Sequence, residues 1–112
     1  MSRFGFVNGN NHLKFEDQLT DLNDEIKDIF LALREFIKSL GDTVIEEVRP
    51  HRVVYAKTLN FRVFLDVQPK DSGLAVVLKH GRDKPESALL ISSDKDLEAA
   101  KSQISRAFQE IK

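Results

Sequence analysis

The sequence predicts an α+β fold of two layers, with a mostly antiparallel sheet of three to four strands carrying two helices on one face in the order α-β-β-β-β-α. Three observations predict it. Apolar residues recur at helical spacing from Leu19 to Leu40, apolar and polar residues alternate between Leu59 and Leu78, and a second helical stripe runs from Leu97 to Ile111. Each segment has one face to bury, and laying both helices on one sheet face is the economical way to bury all of them.

The 112 residues are enough for one hydrophobic core and too few for two. We read residues 15–112 as that domain. Residues 1–14, rich in Gly and Asn around Phe4, Phe6 and Val7, read as an N-terminal arm.

In the first helix Leu19, Leu22, Ile26, Ile29, Leu33, Phe36 or Ile37, and Leu40 form one stripe, while Asp21, Asp24, Glu25, Asp28 and Glu35 fall mostly outside it. Thr20 or Asp21 is the expected cap, and Gly41 the expected stop in a left-handed conformation. Pro50 lacks an amide hydrogen and is expected to bound the first strand, Val53 to Lys57. In the next strand Leu59, Phe61, Val63, Leu65 and Val67 alternate with Asn60, Arg62, Phe64 and Asp66. The turn "QPKDSG" leads into a strand through Leu74, Val76 and Leu78, and a short edge strand is expected from Ala88 to Ile91. Ser92 or Ser93 caps the last helix, with Asp96 in the capping-box position and Leu97, Ala100, Ile104, Ala107 or Phe108, and Ile111 along its stripe.

Composition excludes several function classes. No cysteine is present, so disulfides, thiolate metal sites and thiol nucleophiles are absent, which fits a cytoplasmic protein. No window carries the apolar run of a membrane span or a signal peptide. The formal net charge of -1 provides no general attraction to nucleic acid. That total conceals segregation along the chain: residues 16–48 carry ten acids against three bases, and residues 49–84 carry eight bases against three acids.

The basic half opens with "RPHRVVYAK" (Arg49 to Lys57). If strand 59–67 turns its odd-numbered side chains inward, Arg62 and Phe64 face outward, sharing a surface with Arg52 and Lys79 and having Arg49, His51 and Tyr55 along the rim. Cations around an aromatic are what single-stranded nucleic acid requires, because phosphates need positive neighbours and bases need a flat face. A solvated face laced with cross-strand ion pairs is the bland alternative. Phe64 in that position would be a stacking platform, a dimer contact, or a residue covered by the Phe4/Phe6 arm.

Other constellations are weaker. "DVQPK" offers Asp66, Gln68 and Lys70 in a degenerate version of a magnesium-dependent nuclease spacing, in which a lysine follows two residues after the last ligand, with Glu46 or Glu47 as a further acid, but Pro69, the turn after Val67 and the missing acid on the preceding strand oppose it. His12, His51 and His80 show no metal-ligand spacing, although His51 and His80 flank adjacent sheet regions. "HGRDKP" (His80 to Pro85) offers Arg82, Lys84 and the Gly81 backbone to an anion without the glycine spacing of a nucleotide loop. Nothing in the sequence calls for a cofactor or a metal.

The run "IFLALREFIKSLGDTVIEEV" (Ile29 to Val48), followed by "VVYAKTLNFRVFLDVQPK", resembles a small bacterial and archaeal domain of unknown function labelled predicted transport protein domain. The likeness rests on Leu40-Gly41, on Val44 and Glu46, on Tyr55 before a short turn and on Asn60-Phe61. It takes in the lead-in "FEDQL" (Phe15 to Leu19) and the last helix, and so covers roughly residues 15–111. The family more often has a histidine in place of Gln18 and a lysine in place of Ala56, so the resemblance assigns no chemistry to those positions. It implies a binding or accessory role close to nucleic acids rather than a reaction. The sequence reading is therefore an accessory binding domain for nucleic acid or an acidic partner. A nuclease-like enzyme using Asp66 and Lys70, and a homodimeric module, are the alternatives.

Overall fold

The computed structural model describes residues 13–57, 62–81 and 84–111. The arm's Phe4, Phe6 and Val7, the strand positions Leu59 to Phe61, and Arg82 lie outside the described residues.

The chain begins with a short 3-10 turn, Phe15–Leu19, and continues into helix α1, Asp24–Lys38. Five strands follow: β1 Val44–Arg49, β2 Arg52–Lys57, β3 Arg62–Lys70, β4 Gly73–Leu78 and β5 Ser87–Ile91. Helix α2, Asp94–Glu110, closes the fold. The strands form a meander in which each pairs antiparallel with the next, in spatial order β1-β2-β3-β4-β5. The α+β class and the element order agree with the sequence reading, with one strand more than expected.

The additional strand is β1. Its sequence, VIEEVR, has two adjacent acids where period-two alternation should fall, so it carries no apolar signature. Charge suits its position at the sheet edge, where an uncharged strand would invite pairing with another chain. Helix α1 is also shorter than the apolar stripe from Leu19 to Leu40. Phe15–Leu19 turns separately, and α1 is capped by Asn23, whose side chain accepts the Ile26 amide at 2.9 Å. At its far end the Ser39 amide donates to Glu35 O at 3.0 Å with Ser39 itself in a right-handed conformation, and Gly41 is not among the positive-φ glycines. The expected left-handed Gly41 is thus corrected. In α2 the capping prediction holds: Ser93 Oγ accepts the Asp96 amide, and Asp96 in turn accepts from the Ser92 amide and hydroxyl.

Directly paired residues share a sheet face, which makes the register a map of the two faces. Val53, Tyr55, Leu65, Val67, Leu74, Val76, Leu78 and Ile91 point toward the helices and are buried with Ile29, Phe30, Leu33 and Ile37 of α1 and Leu97, Ala100, Ile104 and Ala107 of α2. Phe15 packs its ring edge-on against Phe30, with centroids 4.8 Å apart, so the 3-10 turn belongs to the same core.

The tight turn between β3 and β4 depends on Gly73, whose φ is +145° and whose missing Cβ would lie 2.7 Å from the Ile91 carbonyl oxygen. Gly81 has a similar φ of +136° but open space around it. Gly73→Ala is therefore expected to cost more than Gly81→Ala, about 1–3 kcal/mol from backbone strain with the steric clash in addition. Urea denaturation of the two variants checks this. Equal costs would mean that the approach to Ile91 is relieved at no expense.

Candidate functional site

The candidate site depends on a register change in the middle of the sheet. Tyr55 pairs with Leu65, but the next residue of β2, Ala56, pairs with Val63, which leaves Phe64 as the extra residue of a β-bulge. One inserted residue reverses which side chains face which way for the part of β3 before it. Leu65 and Val67 point inward as alternation predicts, while Val63 shares the far face with Ala56 and Phe64 turns inward. Phe64 is fully buried, and its ring meets Phe108 of α2 edge-on at 5.2 Å. Its carbonyl oxygen accepts the Lys79 amide at 2.9 Å, which ties the bulge to the end of β4.

The expected outward face of Arg52, Arg62, Phe64 and Lys79 is therefore corrected: the fold does not build it. Phe64 is core, not a stacking platform or dimer contact. Arg62 pairs with Lys57, whose Nζ donates to the carbonyl of Ile111, the residue that follows α2, so both lie on the helix side. Arg52 lies at the other end of the same strand on the opposite face, bound to Asp66 at 2.9 Å. The five residue steps from Arg52 to Lys57 span about 17 Å. Arg49 is engaged by Glu47 beside it, and His51 sits exposed in the turn joining β1 to β2. Tyr55 is buried, so it lines no rim.

Tyr55 belongs to a polar network that sequence spacing did not reveal. Its hydroxyl donates to Glu46 Oε2 at 2.7 Å, and Arg34 of α1 grips both oxygens of Glu46 at 2.8 and 2.9 Å. Lys38 stands 3.6 Å away, and the Arg34 guanidinium lies 4.3 Å above the Phe15 ring. Burial works to raise the Glu46 pKa, but hydrogen bonds from Arg34 and Tyr55 and the nearby positive charges outweigh it and hold it below the ordinary carboxylate value. The Glu46 hydrogen bond raises the Arg34 pKa, and burial, followed by the Glu46 charge, raises that of Tyr55. The result is an ionised carboxylate saturated by donors, which joins α1, β1 and β2.

His80 and His51 flank neighbouring sheet regions but lie at opposite ends of the sheet, His80 following β4 and His51 in the β1–β2 turn. The Nδ1 of His80 lies 2.9 Å from Glu110 at the end of α2. Asp66 is occupied by Arg52, and among the described residues no group of three or more His, Cys, Asp or Glu side chains is placed to hold a metal.

Two of the predicted binding residues do come together. Arg62 and Lys79 line a surface depression of about 280 Å³ with Lys84, Gly81, Glu86 and Ile111, beside the C-terminal end of α2. Lys79 approaches Glu86 at 3.7 Å, while Arg62 and Lys84 have no carboxylate within ion-pair distance among the described residues. The bulge creates this arrangement, because without it Arg62 would be on the other face. Lys84 was visible in "HGRDKP", but its proximity to Arg62 depends on the end of β4 folding back beside the start of β3.

A family model described as domain of unknown function (DUF5655) matches residues 15–109, most of the chain. The chain belongs to this family. The transport label attached to the earlier resemblance is not supported: the DUF5655 description names no transport role. In this DUF5655 domain no helix among the described residues is long and apolar enough to cross a membrane. No curated protein and no solved structure matches the chain.

Proposed function

We propose that this DUF5655 domain is an accessory binding module that takes an anionic partner, the phosphate backbone of nucleic acid, in the depression lined by Arg62, Lys79 and Lys84. One observation carries the reading: among the described residues three cations line one concavity with one carboxylate, that of Glu86, and two of the three have no ion-pair partner there. Solvated cations that cluster without neutralisation concentrate positive potential where a phosphate can replace their counterions. The absence of cysteine is compatible with a cytoplasmic setting, where nucleic acid is available. Binding rather than catalysis is favoured because Asp66, the acid a nuclease would need, is held by Arg52.

Fluorescence anisotropy with single-stranded DNA and RNA at two salt concentrations tests the proposal. Affinity is expected to fall steeply with salt, and each cation removed in Arg62→Ala or Lys84→Ala should lower the salt slope by about 1. No binding at low salt, or binding untouched in the double variant with its circular dichroism unchanged, would reject the site. Competition by polyglutamate at matched charge would instead assign the depression to an acidic protein segment.

A further inference from the structure

We propose that this domain has a further, catalytic function: hydrolysis of a carboxylic ester by a relay of Ser87, His80 and Glu110 at the end of the sheet where β4 leads into β5. The fold brings the three together from separate elements. Ser87 opens β5 and pairs with Leu78, the buried last residue of β4, so both face the helices. The Lys79 amide extends the ladder to the Phe64 carbonyl, and His80, two residues beyond Leu78, returns to that same face and reaches Glu110 in the last position of α2. Ser87 Oγ lies 3.4 Å from His80 Nε2, and His80 Nδ1 lies 2.9 Å from Glu110 Oε1.

The pairing of atoms assigns the chemistry. A carboxylate only accepts, so in the neutral imidazole the hydrogen sits on Nδ1 and Nε2 is left to accept the serine hydroxyl. A histidine that merely pinned the end of α2 to the sheet needs the Glu110 bond alone; the hydroxyl on its other nitrogen completes the order nucleophile, base, orienting carboxylate. The longer of the two contacts is the one that tightens when substrate binds. Ser87 is half-buried and the His80 side chain 15% exposed, so the pair is sheltered yet reachable. Gly81, Glu86 and Ile111, each next in the chain to a member of the relay, line the depression that also holds Arg62, Lys79 and Lys84, which places positive charge beside the point where an oxyanion develops. In the first step Ser87 Oγ bonds to the ester carbonyl carbon while its proton passes to Nε2; the carbon–alkoxide bond then breaks, and the alcohol leaves with that proton. Water, giving a proton to Nε2, attacks the acyl-serine, the acyl–Oγ bond breaks, and the proton returns to Oγ as the carboxylic acid departs. Glu110 touches no substrate and acts by positioning His80.

Neither Asp66 nor nucleic-acid binding enters this chemistry, so ester hydrolysis and phosphate binding can fail independently. Treatment of the full chain with a fluorophosphonate, which bonds covalently to an activated serine, and its turnover of p-nitrophenyl acetate test the relay. An adduct mapped to Ser87 by peptide mass spectrometry, with repeated turnover, is the expected result. Ser87→Ala should abolish both, and His80→Gln should lower kcat by about 100-fold or more, the share of a general base. Glu110→Gln keeps an acceptor for Nδ1 and with it the tie to α2, yet cannot stabilise the imidazolium, so kcat should fall while KM and the urea midpoint hold. The proposal is overturned if the unmodified protein takes no adduct and turns over no faster than free imidazole, or if adduct and turnover persist in Ser87→Ala.

Discussion

Phe64→Ser is expected to remove about 3–5 kcal/mol of folding stability, whereas Val63→Ser one residue earlier should stay within about 1 kcal/mol. The contrast follows from the bulge. Phe64 is sealed between the sheet and Phe108, so truncation leaves a cavity in a close-packed interior and also removes an edge-on aromatic contact. Val63 is only partly buried and lies on the face away from the helices. Regular alternation without a bulge reverses the two roles, making Val63 a core residue and Phe64 a surface one. Equilibrium urea unfolding of both variants decides between these registers, and a Val63 cost as large as that of Phe64 would refute the bulge. Since a domain has only about 5–15 kcal/mol in total, the Phe64 variant should be near the limit of folding.

The second large effect is expected at Glu46. Glu46→Ala leaves the Arg34 guanidinium and the buried Tyr55 hydroxyl without their acceptor, and losing one partner of a largely buried pair costs about 3 kcal/mol. Tyr55→Phe should cost less, about 1 kcal/mol, because Arg34 and Lys38 continue to satisfy the carboxylate. The network also predicts a pH dependence. The folded Glu46 pKa is depressed relative to its unfolded value, so its contribution is complete above the unfolded pKa, near 4.5, and is lost as the pH falls through the folded value. The unmodified protein should accordingly lose stability on acidification below about pH 4.5 more steeply than Glu46→Gln does. Chemical denaturation midpoints at a series of pH values measure this directly. Parallel curves for the two proteins would show that Glu46 is not held ionised by its neighbours.

The sequence alone determined the elements whose information is local. The stripe of Ile26, Ile29, Leu33 and Ile37, and that of Leu97, Ala100, Ile104, Ala107 and Ile111, repeat at helical spacing because each helix lays a single side against the core. Those positions are buried in the fold. Ser93 with Asp96 marked the start of α2 because a cap is a bond between near neighbours in the chain. Leu65, Val67, Leu74, Val76 and Leu78 could be placed inward for the same reason.

Tertiary structure decided whatever depended on partners distant in sequence. The strand β1 exists because β2 lies beside it, and its Glu46 faces inward because Arg34 and Tyr55 are there to receive it; no local pattern in VIEEVR encodes either. The bulge at Phe64 is the more consequential case. Period-two reading assumes an unbroken ladder, and one extra residue, stabilised by the ring of Phe108 and the amide of Lys79, reversed the parity of everything upstream of it in β3. The sequence supplied the basic residues, but the packing of one phenylalanine divided them, sending Arg62 to Lys79 and Lys84 at one end of the sheet and leaving Arg49, His51 and Arg52 at the other.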